Sequence, residues 1–493
     1  MGQYNAIIVG GGSAGMACAV RAAQLGKQVC IIEIADYIGG TLHLTAGHLS
    51  AANTKRQQEK GIDDSIENHF NDIKKISKNT LNNNIAFNAV SLAPSTINWL
   101  QALGYTFYYD TPLIIYGHEA YSIPRTYFGK NDYGGKAITG SGKEVFNTLL
   151  PHFNNYVASG HIEVFYKHQF KSLALTNDAI TELQAVDLTN NNKIIFNAIN
   201  TPVILTTGGY AANANFYNKI MQPFFNNQIA HYPKRLLSSA NIFSQGQGIE
   251  AVLNIGGELV GAAKHLSTLG GIEIEPNSGR TSFWDAWARV SNSHDRAPRE
   301  IYINEHGNRF MNEHDTTVDQ RERIVLQQPN QRFWAIFNEA SLQAGPCIVV
   351  QWSAEKFKAE AAKEKCCWAA DSVETLAQKI GVPLLNLVNT VANYNHFVTT
   401  KTDIDFNRSQ LNENYTTGPY YAILIYAYSL ISFGGVKTNN KLQVLLQNQT
   451  PIKNLYAAGE ILGAAATSGN AFCGGMLLTP ALSFGKWLAE EVI

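Results

Sequence analysis

The sequence has few charged residues and no excess of either sign. Of its 493 residues 16% are charged, and the formal net charge is −1. Proteins that bind nucleic acid or anionic membranes by electrostatic attraction carry a basic surplus. We therefore expect neither a nucleic-acid partner nor a membrane surface as a partner.

Other absences bear on compartment and topology. The six cysteines show no C-x-x-C spacing, which favours reduced core thiols over a disulfide framework. No apolar run approaches the length of a membrane span. The first apolar segment begins close to Met1, which leaves no room for a signal peptide. We expect a cytoplasmic protein.

A glycine fingerprint stands at the start of the chain. The apolar segment Ala6–Val9 runs into Gly10-x-Gly12-x-x-Gly15, and a second apolar segment ends at Glu33. This spacing provides a tight turn, close backbone approach to a pyrophosphate and close packing of the following helix. The Glu33 carboxylate accepts both ribose hydroxyls and repels a 2′-phosphate. The pattern predicts an adenosine nucleotide site; the alternative is a glycine-rich turn without a ligand.

Further motifs give the chain a family resemblance. It resembles the flavoproteins that include soluble fumarate reductases, L-aspartate oxidases and 3-ketosteroid dehydrogenases. Beyond the fingerprint, the matching segments are residues 39–52, 206–210, 246–249, 307–313, 433–436 and 455–460.

The resemblance implies an α/β fold. We expect a discontinuous Rossmann-like FAD-binding domain at residues 1–262 and 428–493, with an inserted α+β capping and substrate domain at residues 263–427. A chain of this length with 45% apolar residues is large enough for two cores.

FAD is the implied cofactor, and we expect it to be bound noncovalently because His43 does not align with the family's flavin-linked histidine. No metal site is expected. The residues predicted to bind FAD are Gly10, Gly12, Ser13, Ala14, Gly15, Glu33, Gly40, Thr41, Leu42, Ala46, Gly47, His48, Phe170, Thr207, Gly208, Gly209, Gly459, Glu460, Gly475, Met476 and Leu477. The N–H groups of residues 475–477 are expected to open a helix that stabilises negative charge on the reduced flavin.

The polar groups expected in fumarate reductases are missing. Aligned without gaps, Thr317 takes the place of the family's proton-donating arginine, Phe472 that of a carboxylate-binding arginine, and Ile431 that of a histidine. The tyrosines of ketosteroid dehydrogenases are absent from positions 317 and 472 as well. Because a dicarboxylate beside Phe472 would lose its hydration without gaining a partner, a neutral substrate is predicted.

Two polar residues partly keep the family pattern. Arg296 aligns with an arginine of the proton pathway, although Ser293 replaces its glutamate partner. Arg296 is equally compatible with a structural salt bridge in the capping domain. His265 falls roughly where the family has a substrate histidine.

An acid or base must then come from elsewhere. Tyr121 and Tyr127 are the first candidates, with Arg125 expected to lower a phenol pKa; Asp315 and His314 are second choices. Each tyrosine is also compatible with a role in lining the cavity.

The predicted activity is the dehydrogenation of a neutral cyclic ketone of ketosteroid or cyclohexanone type. A base takes the α-proton and the β-hydride goes to flavin N5. The electron acceptor stays open. Two alternatives remain: a flavin-dependent ene reductase of fumarate-reductase type, and a noncatalytic FAD-binding protein.

Overall fold

The computed structural model describes residues 4–493, apart from 116–117, 133–141, 226–236, 284, 291–295, 316 and 412. Its strands are β1 (Ala6–Val9), β2 (Val29–Ile32), β3 (Leu49–Ser50), β4 (Thr126–Tyr127), β5 (Ile162–Phe165), β6 (His168–Thr176), β7 (Ala179–Asp187), β8 (Lys193–Asn197), β9 (Val203–Leu205), β10 (Leu259–Val260), β11 (Thr268–Gly271), β12 (Ile301–Ile303), β13 (Arg332–Asn338), β14 (Cys367–Ala370), β15 (Tyr420–Tyr428), β16 (Gly435–Val436), β17 (Gln443–Leu445) and β18 (Pro451–Ala457).

The helices are α1 (Ser13–Gln24), α2 (Lys55–Glu59), α3 (Ile66–Ile76), α4 (Asn83–Ala102), α5 (Glu144–Ala158), α6 (Ala214–Phe225), α7 (Gln247–Asn254), α8 (Val318–Leu326), α9 (Glu339–Gln343), α10 (Ala354–Ala361), α11 (Val373–Ile380), α12 (Leu384–Thr400), α13 (Ala465–Ser468) and α14 (Leu478–Glu491). Within the described residues, none of them combines the length and apolar character needed to cross a bilayer.

A six-stranded sheet, in the order β17-β18-β9-β1-β2-β5, forms the base of the fold. Its strands from β18 to β5 run parallel, and β17 is antiparallel at the edge. Every residue of β1, β2 and β9 is buried, as expected for strands that are covered on both faces. The predicted α/β class is confirmed.

Residues 268–428 build a separate sheet in which the strand pairings are antiparallel. It has the order β11-β15-β13-β12, and β14 also pairs with β15. One apolar core takes its residues from the ranges 6–262 and 436–489, and a second takes its residues from 269–427. The domain bounds predicted from the sequence stay a prediction, although the chain crosses between the two cores close to them.

The family-like segment 307–313 has a structural role in the second core. Arg309 donates two hydrogen bonds to Glu313, both of 2.8 Å, and two to Asp403, of 2.8 and 3.2 Å. Arg408 lies 3.3 Å from Glu313. Two buried cations and two buried carboxylates therefore compensate each other, a geometry in which the loss of one partner is costly.

We predict that Glu313→Gln lowers the free energy of unfolding by about 3 kcal/mol, because Arg309 keeps its buried charge with one carboxylate fewer. Denaturant unfolding followed by tryptophan fluorescence measures the change. The control is Glu59→Gln, since Glu59 lies 3.9 Å from Lys55 in an exposed pair worth less than about 0.5 kcal/mol. Equal stability of the two variants would contradict the prediction.

Candidate functional site

A cavity of about 630 Å³ opens at the carboxyl ends of the central parallel strands. This edge is where open α/β sheets bind their ligands. The walls come from distant parts of the chain: the turn after β1, residues 40–46, 239–244, 280–283 and 459–464, and the first turn of α14.

The three fingerprint glycines have different surroundings. Gly10 has a φ of +99°, and a Cβ there would lie 2.6 Å from the Thr206 carbonyl oxygen. A Cβ on Gly15 would lie 2.0 Å from the Gly10 carbonyl oxygen, whereas a Cβ on Gly12 would meet nothing within 4 Å. Gly10 and Gly15 thus permit the chain to pack against itself, while Gly12 leaves open space on the cavity wall.

The amino end of α1 faces this space. Gly12 is the N-cap residue and no side chain caps the helix, so N–H groups of the first turn are left for a ligand. Together with the positive end of the helix dipole, they form a site for a phosphate group.

Glu33 lies on the cavity wall at the end of β2 and is 7% exposed. Its Oε2 accepts a hydrogen bond of 2.6 Å from the Gly11 N–H, and its Oε1 accepts one of 2.9 Å from the Ala35 N–H. Burial raises the pKa of the Glu33 carboxyl. The two backbone donors fix the orientation of the carboxylate and leave further lone pairs for hydroxyl groups.

Glu460 is the matching acid from the other end of the chain. Its Oε1 accepts a hydrogen bond of 2.8 Å from the Ser432 N–H, and burial raises its pKa. A Cβ on Gly209 would lie 2.4 Å from this oxygen, so Gly209 makes room for the carboxylate. Thr207 also lies on the cavity wall, and its buried Oγ1 has no hydrogen-bond partner within the described residues.

Most residues predicted to bind FAD lie on the cavity wall: Gly10, Gly12, Ser13, Ala14, Glu33, Gly40, Thr41, Leu42, Ala46, Phe170, Thr207, Gly208, Gly459, Glu460, Met476 and Leu477.

The other five, Gly15, Gly47, His48, Gly209 and Gly475, do not line the described cavity, and their role in binding FAD stays a prediction. The four glycines lie against other parts of the chain, where a Cβ would come within 3 Å of a neighbour. The half-buried His48 ring packs edge-on against Phe128 at 4.7 Å, and desolvation lowers the pKa of His48 to about 4. The Met476 N–H donates to the Cys473 carbonyl at 3.0 Å, so it does not serve as the free helix-end donor that we expected.

The tyrosines predicted as acid or base also lie off the described cavity wall. The hydroxyls of Tyr127 and Thr54 lie 2.5 Å apart, and Tyr121 donates to the Gly474 carbonyl at 2.6 Å. Burial raises the pKa of both phenols. The charge of Arg125 does act to lower the pKa of Tyr121, but burial outweighs it and the net shift is upward.

The two arginines of the predicted catalytic set are held in ion pairs. Arg125 is fully buried and pairs with Asp64 and Asp72. Arg296 donates to both oxygens of Glu300, at 2.6 and 3.0 Å. Neither arginine lines the described cavity, and the geometry around Arg296 is that of a structural salt bridge. Ser293, its predicted neighbour in the proton pathway, lies outside the described residues.

The remaining candidates also contact protein groups. His314 Nδ1 lies 3.1 Å from the Ser409 hydroxyl, and Asp315 accepts a hydrogen bond of 2.8 Å from the Thr317 N–H. His265 Nε2 lies 3.0 Å from the Ser267 hydroxyl, and burial lowers the pKa of His265 to about 4.

An apolar cluster adjoins the cavity. Two residues at which the chain departs from the fumarate reductase pattern pack against it. Ile431, which lines the cavity, and Phe472 both pack against Leu266, Leu326, Phe433, Ala464 and Ala465. The Phe472 ring lies 5.7 Å from Phe433 and 4.9 Å from His118. Thr317 is the N-cap residue of α8.

Sequence reasoning missed one group of lining residues. Residues 239–244 and 280–283 line the cavity, and Arg280 donates to the Ala240 carbonyl at 2.7 Å and to the Ser238 hydroxyl at 3.2 Å. Among the described lining residues, Arg280 alone carries a permanent positive charge. No motif marks these segments, since they reach the site only through the tertiary fold.

A parallel sheet with a glycine fingerprint and a cavity lined by Glu33 and Glu460 is typical of a dinucleotide-binding flavoprotein. A family model described as an FAD binding domain matches residues 5–477. The chain belongs to this FAD-binding family, and FAD is its cofactor. The space at Gly12, the orphaned Thr207 hydroxyl and the lone pairs of Glu33 and Glu460 fit such a group.

Similar proteins are flavin oxidoreductases. The chain is 26% identical over 483 residues to a probable fumarate reductase of Shewanella frigidimarina, covering 97% of this chain and 73% of the relative. It is 23% identical to the vinyl phenol reductase of Lactiplantibacillus plantarum, over 95% and 92% of the two chains. The fold matches the 3-ketosteroid Δ1-dehydrogenase of Sterolibacterium denitrificans with a TM-score of 0.75 at 19% identity, over 99% and 98% of the chains. The protein is thus an FAD-dependent oxidoreductase of this FAD-binding family.

We predict that Gly12→Ala folds normally but loses most of its FAD, because the added methyl group occupies the cavity and meets no protein atom. Gly15→Ala is the contrasting variant, since its methyl group clashes with the backbone of the β1 turn and destabilises the fold. Flavin absorbance per protein and the midpoint of thermal unfolding separate the two effects. A Gly12→Ala variant with full FAD content would contradict the assignment.

We further predict that Glu33→Ala weakens FAD binding by about 100-fold, the loss of roughly two charge-assisted hydrogen bonds. FAD content after gel filtration measures the loss, and a covalently attached flavin would stay with the variant. Glu163→Ala is the control, because Glu163 lies on the neighbouring strand β5 with an exposed side chain. Equal FAD retention in both variants would count against the ribose assignment.

Proposed function

We propose that this oxidoreductase acts on the CH–CH bond beside the carbonyl group of a neutral compound, with a cyclic ketone as the substrate type and desaturation as the direction. The observation that carries the proposal is the packing of Phe472 and Ile431 into the apolar cluster beside the cavity. A carboxylate at this place would lose its hydration and find an aromatic ring where a guanidinium is needed.

When bound, FAD supplies the hydride acceptor. The protein's own residues orient it: Glu33 and Glu460 offer carboxylate oxygens to hydroxyl groups, and the amino ends of α1 and α14 face anionic parts of the cofactor. The walls near Ile431 exclude water from the substrate. We propose noncovalent binding, supported by His43, whose Nε2 lies 2.9 Å from the Ile38 carbonyl oxygen.

Ene reduction is the second candidate. The names of the curated relatives favour it, since both specify reductases and one specifies a vinyl phenol, an alkene without a carboxylate. The chemistry at the cavity is the same in both directions. The redox potentials of flavin and acceptor decide between them.

Anaerobic half-reactions test the charge of the substrate and the direction. We predict that cyclohexanone or a 3-ketosteroid bleaches the oxidised flavin, or that 2-cyclohexen-1-one, 4-vinylphenol or a 3-keto-1,4-diene steroid reoxidises the dithionite-reduced flavin. Either rate should exceed that of succinate or fumarate by about 100-fold, equivalent to roughly 3 kcal/mol. Fumarate reoxidising the flavin as fast as the neutral alkenes would contradict the proposal and point to Arg280 as a carboxylate-binding residue.

A further inference from the structure

A histidine and two carboxylates meet beside Phe472. The Nδ1 of His118 donates to Oδ1 of Asp319 at 2.8 Å. Glu322 follows Asp319 on α8 by one helical turn, and ligating atoms of the three side chains all lie within 4.8 Å of one another. Asp319 and Glu322 are fully buried, whereas the His118 side chain is 35% exposed.

Apart from Oδ1 of Asp319, the carboxylate oxygens of this cluster lack hydrogen-bond partners in the part of the chain that the structure describes. Within the described residues, Oδ2 of Asp319 and both carboxylate oxygens of Glu322 have no hydrogen-bond partner. Two buried carboxylates without such partners are stable only when protons or a cation offset their charge. The imidazole of His118 is positioned to carry one of these protons.

The electrostatics agree with the geometry. Burial by itself would lower the pKa of His118, but Glu322 and Asp319 outweigh it and raise the pKa above its usual value. Burial raises the pKa of Glu322 to about 8. The cluster therefore holds exchangeable protons near neutral pH.

The cluster does not line the described cavity itself but connects to it through Phe472. The His118 ring contacts Phe472, and Phe472 packs with the cavity residue Ile431 on the same apolar cluster. Thr317, at the position where the family resemblance puts a proton-donating arginine, begins the helix that carries Asp319 and Glu322. The chain thus lacks the arginine but has an ionisable group close to the same place.

The other candidates for this role are bound elsewhere. Tyr121 and Tyr127 hydrogen-bond to protein groups away from the cavity, and Arg125 and Arg296 are paired with buried carboxylates. His265 is neutral at physiological pH because burial lowers its pKa to about 4. The partly exposed imidazole of His118 is the group with a proton to exchange.

We propose that His118 exchanges the substrate proton through Nε2, while Asp319 positions its ring and stabilises its protonated form. This inference rests on the proposed function. In desaturation the α C–H bond breaks and its proton passes to neutral His118, the β C–H bond breaks and its electron pair leaves as hydride to the bound FAD, and the C=C bond forms. In reduction the hydride returns to the β-carbon and protonated His118 donates to the α-carbon.

The first test follows the dithionite-reduced enzyme as it is reoxidised by the fastest neutral alkene of the panel above. His118→Gln should slow reoxidation by at least about 100-fold, the usual contribution of a general acid, with unchanged FAD content. His396→Gln is the control, since His396 is exposed on α12. A His118→Gln variant that is reoxidised at the normal rate overturns the proposal.

The pH dependence of flavin reoxidation distinguishes a carboxylate that acts on His118 from one that has only a structural role. The charged and titratable groups facing His118 are Asp319, Glu322 and Arg321 on α8, and His48 on the segment before β3. Reoxidation should fall as pH rises through the pKa of His118, because the neutral ring has no proton to give. Asp319→Asn removes a negative charge that stabilises imidazolium, so it should move this limb to lower pH; an unmoved limb overturns the role of Asp319.

A measurement without substrate keeps this inference distinct from the proposed function. Diethyl pyrocarbonate modifies neutral imidazole, and peptide mass spectrometry follows His118 alone. The midpoint of modification against pH should lie above the usual histidine value and fall in Asp319→Asn; an ordinary midpoint that does not move overturns the inference. A wild-type enzyme inert to every neutral probe, with the raised midpoint intact, overturns the proposed function instead.

Metal analysis provides the last discriminating outcome. A transition metal bound at one equivalent per chain and lost in His118→Gln would make the three side chains ligands and overturn the acid–base role. We expect no metal to be retained after dialysis against EDTA, with reoxidation unchanged.

Discussion

The parallel pairing of β18 with β9 is the interaction on which the site depends. Leu455 lies opposite Val203 and Ala457 opposite Leu205, while β9 pairs on its other edge with β1. This register sets Gly459 and Glu460 beside the glycine turn at the opposite end of the sequence. The long intervening chain can then form its own core without disturbing the nucleotide end of the cavity.

Much of the cofactor site could be predicted because its determinants are local. A strand, a glycine spacing and an acid at a fixed distance specify Gly10, Gly12 and Glu33 with no knowledge of the remainder of the fold. Arg280 and residues 239–244 have no such signature, since sheet and loop contacts bring them to the cavity. The acid at Glu460 was predictable only through its resemblance to known flavoproteins.

The acid–base residues show why composition is a weak guide to orientation. The tyrosine-rich segment around Arg125 has the composition of a ligand-binding loop, yet Asp64 and Asp72 hold Arg125 in the interior. The cluster of His118, Asp319 and Glu322 combines one residue from that segment with two from a helix about two hundred positions later. A carboxylate pair spaced by three residues on a helix was visible in the sequence, but its histidine partner was not.

The different surroundings of the fingerprint glycines have an evolutionary consequence. A descendant that abandoned its cofactor would still need Gly10 and Gly15, because the backbone of the sheet and helix leaves no space for a side chain there. It would be free to replace Gly12, where the neighbouring space is empty. Across diverging descendants, glycine at positions 10 and 15 therefore indicates that the fold is kept. Glycine at position 12 indicates that nucleotide binding is still under selection.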